Sequence, residues 1–188
     1  MPALLEEVKL LFLKKFLESM KSSVSEEWIQ IHQGLNDGIF DEYGDLESAY
    51  DTPLWHEEFG AESILHLLNA HVERQLFEIA LMGGHIKERE IFRSPNFSDL
   101  KQRVERTIRA SLEDVPGWLE YAELREIVNS LKHGTGIRQS NPKPQSQIEG
   151  NSLKIYQAKF AEADRYLEIC LTLTRALWAS ASESKNDG

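Results

Sequence analysis

The chain has 188 residues, and its 21 lysines and arginines against 31 aspartates and glutamates give a formal charge of −10. With 41% hydrophobic and 28% charged residues it can form one globular domain with a sizeable core, which excludes an intrinsically disordered chain. No apolar run approaches the ~20 residues that a bilayer crossing requires, so we expect no membrane association. A single cysteine excludes an intrachain disulfide, and glutamates in the place of a signal peptide's basic residues predict a cytoplasmic protein.

Charge is unevenly distributed along the chain. Between Ser22 and Glu73 there are 12 acidic residues and no lysine or arginine, whereas Lys87–Arg109 carries seven basic residues against four acidic ones. Oppositely charged helix faces attract each other within a fold or a dimer. The acidic half also suits a basic protein partner, and the basic stretch suits the phosphates of RNA.

The first third of the chain is predicted to hold two helices. The first runs from Ala3 to about Lys21, and the second from Ser25 to about Gln33, because serine followed by glutamates is typical of a helix start. Residues recurring each turn form an apolar stripe on the first helix: Leu4, Val8, Leu11, Phe12, Lys15 and Phe16. Residues 34–53 are acidic and turn-rich, so we expect a connecting excursion over the surface, briefly helical around 46–50.

The remaining apolar periodicity predicts four more helices. They are Leu54–Met82, Ser98–Leu112, Pro116–His133 and Ser152–Ala179, with a glycine-containing loop over 134–151. The stripe of the longest is Leu65, Leu68, Val72, Leu76 and Ile79. The predicted core anchors include Trp28, Trp55, Trp118 and Trp178. We therefore expect an all-α, single-domain bundle of about five main helices over residues 1–181, with 54–181 as the core bundle, 1–53 as N-terminal helices and excursion, and 182–188 as a frayed tail.

The helix that ends at His133 carries the main candidate site. Helical spacing places Tyr121, Leu124, Val128 and Leu131 on its buried side, and Arg125, Asn129, Lys132 and His133 on a polar edge beside them. A histidine in the last turn titrates near neutral pH and is favoured as imidazolium by the negative helix end. A purely structural role, with Asn129 and His133 capping the last carbonyls, fits the same spacing.

The segment LREIVNSLKHG, with Arg125, Asn129 and His133, resembles the HEPN superfamily of α-helical bundles, as does the preceding core helix HLLNAHVERQLFEIAL. The resemblance covers roughly Leu54–Ala179. Many members are metal-independent ribonucleases of toxin and phage-defence systems, acting as homodimers whose paired motifs line a cleft, and others are catalytically silent. In active members four to six residues separate the arginine from the histidine, whereas here seven do, and apolar Val128 precedes Asn129. The resemblance thus implies either a ribonuclease or a catalytically degenerate RNA-associated relative.

In such a ribonuclease, which needs no cofactor, His133 would exchange a proton with a 2′-hydroxyl or the leaving oxygen. Arg125 would offset charge on the phosphate, and Asn129 would position it. The RNA backbone would be bound by basic residues, namely Lys132, Arg103 and Arg106. Glu73 would support the site by pairing with Arg125 across the bundle.

Two other functional classes stay open. Glu62, His66 and Glu73 share one face of the long helix, where carboxylates and an imidazole can hold a metal, as in ferritin-like bundles. A non-enzymatic interaction module, which docks a basic protein on the acidic half, is the other alternative.

Overall fold

The computed structural model describes residues 2–40, 43–86, 96–132 and 159–186. In these residues the chain forms five α-helices and no strand: α1 (Pro2–Asn36), α2 (Tyr43–Met82), α3 (Phe97–Ile108), α4 (Trp118–Lys132) and α5 (Phe160–Asn186), with a 3₁₀ turn at Leu112–Asp114. The all-α, single-domain bundle is confirmed. In the described part of the chain, none of the helices has the length and apolar content that a bilayer span requires.

The first helix is continuous, so the two predicted N-terminal helices are wrong as separate elements. A buried row at seven-residue spacing runs through the expected break, from Leu10 and Leu17 to Val24 and Ile31. This row packs against α2 and α5. Tertiary packing therefore outweighs the preference of Ser25 for a helix start. The apolar stripe marked from sequence lies elsewhere, since Leu4, Val8, Leu11, Phe12 and Phe16 are exposed.

The second helix begins eleven residues earlier than expected and includes Pro53, so the predicted surface excursion is wrong over 43–53. Proline removes one backbone donor and is normally unfavourable inside a helix. Here Pro53 is buried, and the Tyr50 ring lies 5.6 Å from the ring of Trp28 on α1. Contacts with α1 thus hold the additional turns in place.

The connections around α3 and α4 are set by two left-handed residues. The third helix ends at Ile108 rather than Leu112, because Arg109 has a φ of 56°. Gly117 has a φ of +85°, so α4 starts at Trp118 and not at Pro116. At the start of α3, Asn96 accepts a hydrogen bond from the Asp99 backbone N–H at 2.8 Å.

The core is formed by the predicted stripe of α2 together with one face of α5. Leu65, Leu68, Val72, Leu76 and Ile79 are fully buried, and so are Ala163, Leu167, Cys170 and Leu177. Trp28, Trp118 and Trp178 pack in or against this core, whereas Trp55 is 57% exposed and is no core anchor.

The C-terminal helix extends to Asn186, so residues 182–186 of the predicted tail are helical. The hydroxyl of Ser184 donates a hydrogen bond to the Ile108 carbonyl at 2.8 Å, which attaches this end to α3. The predicted loop over 134–151 and helical residues 152–158 lie outside the described residues.

Candidate functional site

The polar edge of α4 is present where the sequence placed it. Arg125 and Asn129 are partly exposed, and Lys132 is exposed at the last described turn. The apolar residues beside them are buried, including Tyr121 and Val128. His133, the predicted acid–base catalyst, lies outside the described residues. The edge therefore presents a guanidinium, an amide and an ammonium to the surface within about two helical turns.

Arg125 is held from two sides by residues of other helices. Its Nε lies 3.4 Å from Glu73 Oε1 on α2, which is the pairing expected from sequence. Its guanidinium carbon also lies 3.7 Å from the centroid of the Phe97 ring at the start of α3. Nε is buried and makes no hydrogen bond, so the contact with Glu73 is an ion contact. The guanidinium is thus oriented before any ligand binds.

The sequence contained no signal for Phe97. This ring stacks on buried Trp118 with centroids 6.1 Å apart and planes 7° apart. Its position after the Asn96 cap identifies only the first turn of α3, and nothing local indicates which helix lies opposite. Arg125 consequently extends a column of aromatic rings that reaches into the core.

The α2 face with His66, Asn69 and Glu73 lies beside the α4 edge with Arg125, Asn129 and Lys132, and we name this combined surface the seam. In the sequence the two sets of residues are separate candidate sites. Buried Asn69 accepts a hydrogen bond from the Tyr121 hydroxyl at 3.3 Å. Burial lowers the pKa of His66, and the nearby charge of Lys132 lowers it further, so the imidazole favours its neutral form at pH 7. The seam thus combines the neutral imidazole of His66, the buried amide of Asn69 and the cations of Arg125 and Lys132.

The metal alternative is not supported by this geometry. Glu62, His66 and Glu73 do not form a cluster of three ligands that could hold a metal ion. No cluster of this kind occurs within residues 2–40, 43–86, 96–132 and 159–186. Burial and the charge of Glu58 raise the pKa of Glu62. Glu73 instead faces Arg125.

The two basic residues predicted to bind RNA from α3 are not on the α4 edge. Arg103 donates a hydrogen bond to the His85 carbonyl at 3.0 Å. Arg106 is exposed and lines an open groove together with Arg109 and Ser111. From Phe97, these two predicted residues lie roughly 9–14 Å further along α3. They form a second basic surface, separate from the seam.

Comparison of the chain with models of known protein families, with curated proteins and with solved structures returns no match. Only the residues of the seam themselves therefore indicate its function.

Proposed function

We propose that this chain is an RNA-directed, HEPN-like helical bundle in a toxin or defence setting in the cytoplasm, and that its α4 edge contacts the RNA backbone. The carrying observation is the fixed guanidinium of Arg125, on the same edge as Asn129 and Lys132. A cation that is already ordered loses little side-chain entropy when it binds a phosphate. Guanidinium is also suited to phosphate, because its planar fork donates two parallel hydrogen bonds.

Cleavage is the further step of this proposal, and it assigns the acid–base role to His133. The residues of the seam would bind and orient the phosphate, with Asn129 as donor and Arg125 offsetting charge in the transition state. His133 would take the proton of the 2′-hydroxyl as that oxygen attacks phosphorus, and a proton would then go to the leaving 5′-oxygen. A protein whose His133 does no chemistry would bind RNA without cleaving it.

Binding is tested by fluorescence anisotropy with a labelled single-stranded RNA at two salt concentrations. We expect Lys132→Ala to weaken binding severalfold and to reduce the salt dependence, since one phosphate contact is lost. Lys14→Ala is the matched control, because Lys14 pairs with Glu168 on α1's side of the bundle. No RNA binding by the parent protein would overturn the proposal.

Cleavage is tested on the same RNA in the presence of a metal chelator. Parent protein should cleave, and His133→Ala should bind RNA without cleaving it. Equal cleavage by both proteins would reject the role of His133. Binding without cleavage by the parent would instead identify the degenerate relative.

A second candidate function is docking of a basic protein partner. An exposed aromatic pair favours it: Trp55 and Phe59 lie with ring centroids 5.2 Å apart on α2, within the acidic half of the chain. Arginine and lysine bind aromatic faces, and the surrounding carboxylates add attraction. Calorimetric titration with a cationic amphipathic peptide tests this function. Trp55→Ser should weaken binding, whereas Leu67→Ser, also exposed on α2, should not.

A further inference from the structure

The outer face of α1 carries an apolar strip with no partner in the described structure. Its side chains are 38–69% exposed: Leu4, Leu5, Val8, Leu11, Phe12 and Phe16. They lie on the side of α1 opposite the buried row of Leu10 and Leu17, and part of the strip lines an apolar depression that includes Val8 and Phe12. A soluble bundle rarely leaves such a continuous apolar surface uncovered.

The geometry points to a two-fold dimer in which the α1 strip of one copy packs antiparallel on the α1 strip of a second copy. This inference does not rest on the proposed RNA-directed function. The homodimer implied by the HEPN resemblance would instead pair the motifs on α4. Because α1 packs against α2 and α5, pairing through its outer face leaves the α4 edge uncovered.

The spacing of the strip is self-complementary, as a two-fold interface requires. Leu4, Val8, Phe12 and Phe16 form a single i, i+4 ridge, which is the commonest ridge for helix packing. When two copies cross antiparallel near position 10, Leu4 meets Phe16 and Val8 meets Phe12. Each large side chain thus meets another apolar side chain from the same set.

Charge favours the antiparallel arrangement over a parallel one. Lys15 is exposed within the strip, and a parallel pair would place it against its own copy. In the antiparallel pair Lys15 lies against Leu5 of the second copy, and the aliphatic stem of the lysine packs on this apolar side chain. Exposed Glu18 then lies at the positive N-terminal end of the partner's helix.

The area of the strip is sufficient for a dimer. With roughly 200 Å² for a large apolar side chain, the strip exposes about 600 Å² per copy. Two copies would bury about 1,200 Å², the lower end of specific interfaces. A membrane surface is a poorer occupant, because the strip contains one lysine and the chain carries a charge of −10.

Sedimentation velocity of the full chain across a concentration series tests the inference. The parent should dimerise, and Phe12→Glu should raise the dimer dissociation constant at least about tenfold. Leu119→Glu on α4 is the matched control, since Leu119 is 65% exposed and Phe12 is 66% exposed. Higher salt should strengthen the dimer, because it screens repulsion between copies of net charge −10. Circular dichroism checks that both variants stay folded.

Cysteine cross-linking provides a second test that does not depend on a destabilising charge. In the antiparallel pair, two copies of position 8 lie roughly 6 Å apart along the axis and two copies of position 16 roughly 18 Å. A short bis-maleimide cross-linker should therefore join two copies of Val8→Cys and should not join two copies of Phe16→Cys. Cys170 does not interfere, because it is fully buried and burial raises its pKa to about 12.

Three results of these two experiments would overturn the inference. These are a parent protein that stays monomeric at high micromolar concentration, dissociation by Leu119→Glu but not by Phe12→Glu, and equal cross-linking at positions 8 and 16. Flotation of the monomer with phosphatidylcholine or phosphatidylglycerol vesicles, lost in Phe12→Glu, would assign the strip to a membrane surface and also overturn it.

Discussion

The guanidinium carbon of Arg125 lies 3.7 Å from the centroid of the Phe97 ring, which joins the polar edge of α4 to the first residue of α3. Because Glu73 approaches the same guanidinium from α2, three helices determine where this cation points. Its orientation is a property of the assembled bundle and not of α4 alone.

Replacing Phe97 with leucine should lower the free energy of unfolding by about 1–2.5 kcal/mol beyond the loss of apolar area, since both the cation–π contact with Arg125 and the stacking on Trp118 disappear. The measurement is urea denaturation of the parent, Phe97→Leu, Arg125→Gln and the double variant. In the Arg125→Gln background the Phe97 substitution should be less destabilising. Equal losses in both backgrounds would show that the two side chains are not coupled.

Stability should fall in mild acid because of His71. Its side chain is buried, Nδ1 lies 3.7 Å from Glu6 Oε2, and Nε2 has no hydrogen-bond partner. Burial is the main cause that lowers the pKa of His71 below 6.5; Lys9 and Arg74 lower it further, and Glu6 and Glu78 oppose them. The folded protein therefore binds this proton more weakly than the unfolded chain. The contribution of neutral His71 to the free energy of unfolding is complete above pH 6.5 and is lost as the pH falls through the lowered pKa.

Urea denaturation at pH 7.5 and pH 5.5 measures this effect, with His71→Gln as the variant that cannot titrate. The decrease should be smaller in the variant and should not vanish, because the pKa of His66 is also lowered. His32→Gln is the control, since His32 is exposed at the surface of α1. An unchanged decrease in His71→Gln would contradict the assignment.

Gly117→Ala should destabilise the protein by about 1–3 kcal/mol. Gly117 has a φ of +85°, and an added Cβ would lie 3.1 Å from the Ile169 carbonyl oxygen on α5. Gly84 provides the control, because its φ is +73° and a Cβ there would meet nothing within 4 Å. Gly84→Ala should thus report the backbone strain alone. Thermal unfolding of both variants separates the two causes, and equal losses would remove the role of the α5 contact.

Thr174→Val should cost about 1–3 kcal/mol although it hardly changes volume. The Gln75 amide donates a hydrogen bond to Thr174 Oγ1 at 3.1 Å, and both residues are fully buried. The substitution leaves the Gln75 amide without this acceptor. The double variant Gln75→Leu with Thr174→Val should recover part of the loss in chemical denaturation. A loss in the double variant equal to the sum of the single ones would show that the residues act independently.

Much of the bundle follows from local periodicity. The stripe from Leu65 to Ile79 is predicted by 3.6-residue spacing alone and is fully buried. The same geometry placed Arg125 and Asn129 on one edge of α4, and charge suggested the Glu73 partner. These predictions hold because helical spacing decides which side chains share a face, whatever lies opposite.

The tertiary structure decided which faces are covered. α1 carries two apolar stripes, and the row through Leu10 and Leu17 is buried because α2 and α5 run beside it, which leaves Phe12 outside. Neighbouring helices likewise extended α2 through Pro53 and placed Phe97 beneath Arg125. The amino-acid sequence specifies which residues share a face of each helix. Which face is buried depends on contacts with helices that are distant in the chain. Only the packed bundle therefore determines which apolar stripe remains for a partner and how the cation of the seam is held.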